Sequence, residues 1–183
     1  MSLCHSVYVE AKTKNYEAVS PDELGAVLGS GQMGYTCVER SKERVKIQIA
    51  FSKREEEYEI LKEMPFDSKR KKQSIVLRRV GGNSIVLMTK GADDVMLEGV
   101  EPKLRQRVAA DLGFFSKQGL RTLVHGWKLL NQAEWLHFSM LHMLLETTLE
   151  LPEKQKKKQA REHWAALEKG LDIVGVTAVE DLL

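Results

Sequence analysis

Four short stretches of the chain carry residue types that could act together: Ser20-Pro21-Asp22-Glu23, Pro65-Phe66 running through Asp67-Ser68 into the cations Lys69-Arg70-Lys71-Lys72, Lys90-Gly91-Ala92-Asp93, and Gly119-Leu120-Arg121-Thr122-Leu123. Taken alone, the first is a capped helix start and the second a buried Phe followed by a solvated loop. Taken together they supply a carboxylate acceptor, an aromatic face, an ammonium and a guanidinium. An aromatic face stacks a base for about 1–3 kcal/mol, and neighbouring cations meet phosphates. Lys90 stands at a strand end beside Gly91, which lets a ligand approach the backbone closely. Arg121 can fork onto phosphate oxygens. These are the parts needed to hold an adenine nucleotide. No catalytic base stands out beside them and no metal cluster is visible, so the residues point to nucleotide binding without catalysis in this chain.

The elements that must position these residues alternate between short strands and capped helices. Ser6 to Ala11 and Tyr16 to Val19 read as an opening hairpin turning at Thr13-Lys14-Asn15. Ser20 as N-cap, Pro21 at the first helical position and the carboxylates of Asp22 and Glu23 start a helix that runs to about Ser30. Tyr35 to Arg40, Val45 to Phe51, Tyr58 to Phe66, Ser74 to Val80 and Ser84 to Thr89 carry β-branched and aromatic residues, and Gly81-Gly82-Asn83 signals a tight hairpin. Beyond Lys90-Gly91-Ala92, Asp93 to Glu98 gives a helical turn or two, and Pro102 to Lys117 has helical spacing through Leu104, Val108, Leu112 and Phe115. Leu120 to Leu130 is strand-like, Asn131 caps a helix through about Glu150, and Pro152 opens another to Leu167, closed by Gly170. Leu171 to Val176 is the last strand. The fold class is α+β, with mostly local antiparallel pairs.

Composition narrows the function further. The 183 residues suffice for one domain with a real core, and 43% hydrophobic against 30% charged residues describes a globular chain. A formal charge of +2 is too small to demand a nucleic-acid partner, so any anion site must be local. Cys4 and Cys37, the two cysteines, form neither a disulfide framework nor a zinc ribbon, and fit a reducing compartment. The opening Met1-Ser2-Leu3-Cys4-His5 lacks the pattern of a secretory signal. Trp135 to Leu149, the most apolar stretch, is interrupted by His137, Ser139, His142 and Glu146 and falls short of the ~20 residues of a spanning helix, so the chain is expected to be soluble.

Several motifs tempt and fail. Gly29-Ser30-Gly31-Gln32-Met33-Gly34 matches GxGxxG, but a helix precedes it and a strand follows, the reverse of a dinucleotide fingerprint. A kinase glycine loop would need downstream HRD and DFG strings, which the sequence lacks. No GxxxxGK[ST] loop occurs, and His5, His125, His137, His142 and His163 include no i, i+4 pair, so no metal site is expected. Lys154 to Lys158 reads as a solvated helix face.

The order Cys4-His5-Ser6-Val7, Tyr16-Glu17-Ala18 with Ser20-Pro21-Asp22-Glu23-Leu24, Pro65-Phe66 with Lys69-Arg70-Lys71, Lys90-Gly91-Ala92-Asp93, Gly119-Leu120-Arg121-Thr122-Leu123 and Gly175-Val176-Thr177-Ala178-Val179-Glu180-Asp181 resembles the nucleotide-binding domain of P-type ATPases across essentially the whole chain. Ser20 to Leu24, Asp93 after Lys90-Gly91-Ala92, and the Thr177 to Asp181 ending are similar to the phospholipid-flippase (type IV) branch. The resemblance implies a twisted antiparallel sheet of about six or seven strands flanked by helices. It implies that Glu23 accepts a hydrogen bond from the adenine amino group, Phe66 stacks on the ring, Lys90 lines the adenine pocket and approaches the phosphates, and Arg121 contacts the phosphate chain. Asp22, Ser68 and Gly91 would be secondary contacts.

The family's phosphorylated Asp-Lys-Thr-Gly-Thr motif, its actuator loop, its metal-binding aspartates and its membrane helices do not occur in these residues. The expectation is therefore a single nucleotide-binding domain, residues 1–183, excised from the cytosolic part of an integral membrane protein, with residues 1–5 and 176–183 near the links to a phosphorylation domain. Such a domain captures ATP and delivers its γ-phosphate to an aspartate elsewhere, powering lipid flipping. Mg2+ would arrive with ATP and be held mainly by the phosphorylation domain, the phospholipid would bind elsewhere, and the fragment would be monomeric. Alone it is expected to bind ATP at roughly millimolar level, about −4 kcal/mol, and not to hydrolyse it.

Three departures from the family pattern stand out: Asp67 for Asn, Thr or Ser, a carboxylate that would weaken ATP binding if it pointed inward; Gln73 for Met; and Leu182 for Lys. The alternatives are a non-enzymatic interaction module using the Phe66 and Lys69–Lys72 loop, which would not need Glu23 and Lys90 beside Phe66, and a nucleotide domain of a cation-transporting relative.

Overall fold

A computed structural model describes residues 1–10, 13 and 15–180. Its elements run β1 (Tyr8–Val9), β2 (Tyr16–Glu17), α1 (Pro21–Gln32), β3 (Tyr35–Arg40), β4 (Arg44–Ile49), β5 (Arg54–Asp67), β6 (Lys72–Arg79), β7 (Ile85–Gly91), α2 (Asp93–Met96), α3 (Pro102–Ser116), β8 (Arg121–Leu130), α4 (Gln132–Thr147), α5 (Glu153–Leu167) and β9 (Asp172–Val179). The strands form one nine-stranded sheet in the order β2-β1-β3-β4-β5-β6-β7-β8-β9. Every pairing is antiparallel. The α+β expectation holds. The strand count exceeds six or seven because the opening hairpin contributes two strands of two residues each.

Local chemistry accounts for most boundaries. The Ser20 side chain accepts from Glu23 N at 3.5 Å and Pro21 begins α1, which runs on through Gly29 and Gly31 to Gln32 rather than stopping near Ser30. Gly34, with φ of +91°, then turns the chain into β3. Asn131 and Glu134 form a reciprocal capping box at the start of α4. Ala11, Lys14, Asp181 and Leu182, on which parts of the opening strand and turn, the terminal motif and one departure rest, lie outside the described residues.

Successive residues of β6 face opposite sides of the sheet, so its middle is covered twice. Ile75 and Leu77 join Leu3, Cys4, Val7, Val9, Val27, Cys37, Val45 and Ile47 in one core cluster. Val76 joins Met64, Ile85, Leu87, Leu130, Phe138 and Leu167 beneath α4 and α5. Met96, Leu97, Val108, Leu112 and Val124 make a third cluster where α2 and α3 meet β8.

Candidate functional site

Glu23 sits in the first turn of α1, Phe66 near the end of β5, Lys90 near the end of β7 and Arg121 at the start of β8. All four line one cleft of about 690 Å³. Asp22 and Gly91 line it too. Ser68 does not: it lies exposed in the turn after β5.

Phe66 reaches the lip through a break in pairing. Met64 is fully buried, and two residues on along an undisturbed strand would face the same way. Instead the β5–β6 register shifts between Met64 and Asp67, around a Pro65 that has no N–H to give, and Phe66 emerges 64% exposed. The exposed ring corrects the plain alternative of a buried Phe.

On the cleft floor, Lys90 Nζ donates to Glu23 Oε1 at 2.6 Å, with side chains 7% and 11% exposed. Ser6 donates to Glu23 Oε2 through its backbone N–H at 3.1 Å and also through its hydroxyl. Burial alone would raise the Glu23 carboxyl, but the hydrogen bonds from Lys90 and Ser6 and the Lys90 charge prevail and hold it below its ordinary value. A carboxylate has about four lone-pair positions, so Oε1 keeps one for a further donor. At the rim, Arg121 Nη2 lies 3.1 Å from Asp22 Oδ2.

The four-cation run does not act as one patch. Arg70 turns inward to pair with Glu168 and lies over the Trp164 ring. Lys71 lines the cleft and pairs with Asp94. Asp67 points away from the cleft: its Oδ1 accepts from Lys69 N and Arg70 N at 3.0 and 2.9 Å, and its Oδ2 pairs with Arg161 at 3.3 Å. Gly91 serves packing before any ligand, since a Cβ there would lie 2.7 Å from the Lys71 carbonyl oxygen and 2.9 Å from Lys72 Cγ.

Several lining residues were given no role in the site by the sequence reading. Cys4, His5, Ser6, Gln73, Leu123, His125 and Thr177 all face the cleft. His125 and Leu123 were reachable, because they follow Arg121 at the two-residue period of a strand. His125 Nε2 lies 2.9 Å from Thr177 Oγ1 on β9. Burial above all pushes both His5 and His125 down to about 3, so the imidazoles are neutral. The charged side chains are then Lys71, Lys90 and Arg121 against Asp22 and Glu23, a net positive cleft. Among the described residues no group of three or more His, Cys, Asp or Glu could hold a metal ion, and no helix is long and apolar enough to cross a membrane.

Known proteins are similar to this sequence over most or all of its length. It is 31% identical over 189 residues to phospholipid-transporting ATPase DRS2 of Saccharomyces cerevisiae, covering 100% of the chain and 14% of the relative. It is 32% identical over 182 residues to phospholipid-transporting ATPase VD of Homo sapiens, covering 92% of the chain and 12% of the relative. It is 30% identical over 194 residues to phospholipid-transporting ATPase 6 of Arabidopsis thaliana, covering 100% of the chain and 15% of the relative. The chain thus spans a small fraction of these relatives. The family model of the P-type ATPase cytoplasmic domain N matches residues 2–183, and the chain belongs to that family.

Proposed function

We propose that the cleft binds ATP and that this chain is the nucleotide-binding domain of a larger phospholipid-transporting P-type ATPase, cytosolic in placement. One observation carries the proposal: an exposed aromatic ring, Phe66, overhangs a cleft floored by the buried Lys90–Glu23 pair and rimmed by Arg121. The volume, about 690 Å³, falls in the range of small-molecule sites, roughly 300–1,000 Å³. The relatives' names, phospholipid-transporting ATPases, support the branch and the substrate class.

In this scheme Phe66 offers its face to adenine, and the open lone pair of Glu23 Oε1 accepts from the exocyclic amine. Lys90 lines the adenine pocket beside Glu23, Arg121 directs N–H groups at phosphate oxygens, and Lys71 adds a cation at the rim. Magnesium brought in with the nucleotide would neutralise phosphate charge, and its protein ligands would come from another part of the parent enzyme. What this chain supplies is orientation: phosphoryl transfer has little covalent work for the protein beyond placing the reactants and stabilising charge. The nucleophilic aspartate and the lipid path lie in other domains of the parent.

Amide NMR titration with ATP, and with GTP as control, tests the proposal. Shifts are expected at Glu23, Phe66, Lys90 and Arg121, with preference for ATP, and Phe66→Ala is expected to weaken binding by about 1–3 kcal/mol. If millimolar ATP moves no resonance, the cleft does not bind nucleotide and the Phe66 turn is better read as a docking loop.

A further inference from the structure

Phe66 is 64% exposed, so its position is set less by contacts of the ring than by the backbone on either side. One buried side chain holds both sides. Arg70 Nη2 donates to the Pro65 carbonyl at 2.9 Å and to the Met64 carbonyl at 3.4 Å, just before Phe66. After Phe66, the 67–71 turn is closed by Asp67 and by the Lys71 N to Asp67 O bond at 2.6 Å, and it carries Arg70 itself. Arg70 Nη1 donates to Glu168 Oε1, with side chains 5% and 1% exposed, and the guanidinium carbon stands 5.0 Å from the Trp164 ring centroid. The same Glu168 oxygen accepts from Ser74 Oγ, which lies 2.9 Å from Thr89 Oγ1, on the residue preceding Lys90. A continuous buried run of bonds therefore joins the backbone around Phe66 to the strand that carries Lys90.

The run is a poor choice for stability alone. Arg70 Nε and Glu168 Oε2 are buried without a hydrogen-bond partner. Burial also pushes the Glu168 carboxyl up in spite of Arg70. Apolar residues can often replace a buried ion pair with no loss of stability. They cannot grip two carbonyls, a carboxylate and a ring face at once, which the planar guanidinium does.

Building on the nucleotide reading above, we propose that Arg70 is a positioning residue: anchored on Glu168 and Trp164, it sets the place of the Phe66 ring relative to Lys90 and so governs base stacking. It touches neither base nor phosphate. Its loss is therefore expected to weaken recognition of the base and leave recognition of the phosphates intact.

The test titrates the 183-residue chain with ATP and with inorganic tripolyphosphate, which carries the anionic chain and no base. Arg70→Lys keeps the charge and loses the fork. It is expected to weaken ATP about three- to tenfold, a part of the stacking share of binding, with tripolyphosphate unchanged. In a Phe66→Ala background, Arg70→Lys is expected to change ATP binding no further. Equal losses for both probes, or unchanged ATP affinity in a variant folded by circular dichroism, overturn the inference. If Arg70→Lys does not fold, Glu168→Gln takes its place. It retains an oxygen acceptor for Arg70 and Ser74 and is expected to give the same ATP-selective loss at smaller size; its absence overturns the inference. A wild-type chain that binds no ATP overturns the nucleotide reading and this inference with it. Binding that depends on Phe66 but not on Arg70 or Glu168 overturns this inference alone.

Discussion

His5 and His125 are held neutral at the cleft, both pushed down to about 3 chiefly by burial. In the unfolded chain an imidazole takes up its proton near pH 6.5. Between about 6.5 and 3 the unfolded state therefore binds more protons, and stability falls as pH falls, by at most about 1.4 kcal/mol per pH unit for each histidine. Glu23, held below its ordinary value, adds to the loss once the pH drops through the carboxylate range, whereas Glu168, raised by burial, works against it. Urea midpoints are expected to decline from pH 7 to pH 5, and His125→Gln to flatten that decline. An unchanged midpoint over this range contradicts the neutral buried state. Glu23, Phe66, Lys90 and Arg121 stood out in the sequence as a set, a carboxylate, a ring and two cations in the stretches that carry the family resemblance, and the structure brings all four to one cleft. Arg70 was not: in a run of four cations nothing marks the one that turns inward, since its partner Glu168 is 98 residues away.

At the scale of elements, the junction of β6, β7 and α2 is a place where packing leaves little room. A side chain at Gly91 would meet the Lys71 carbonyl and Lys72, and Met96 Cγ at 3.2 Å. Gly91→Ala is expected to destabilise the chain by about 1–3 kcal/mol, read as a lowered melting temperature. It should also displace Lys90 next to it, lowering ATP affinity. Unchanged melting and affinity mean that the β5–β6 turn yields more readily than its contacts suggest. Helix starts were the most legible elements, because caps such as Ser20 and Asn131 act over three residues of chain. The long reach of β5 back to Arg54 was not, since Arg54 to Glu57 is polar and belongs to the sheet through its partners on β4. The bulge that exposes Phe66 was equally hidden, because it depends on how β5 and β6 register across the sheet.

At the scale of the molecule, β3 to β9 each lie beside their sequence neighbours, an arrangement readable from successive strand and turn signals. The chain's first ten residues break that simplicity. Leu3, Cys4, Val7 and Val9 enter the central core, Cys4 Sγ reaches the carbonyls of Gln73 and Met88, and Ser6 completes the Glu23 carboxylate. Nothing in Met1 to Glu10 announces such distant partners.

This division has a consequence in time. Neighbour-to-neighbour pairing from β3 to β7 closes short loops and forms early, while contacts spanning 69 and 84 residues must await the surface they dock on. In stopped-flow refolding, far-UV ellipticity is expected to recover before the chain regains its ATP-dependent signal, and simultaneous recovery contradicts this order. The cleft is then the last thing the chain makes, so a partly folded molecule can hold its sheet and still lack the site proposed for nucleotide.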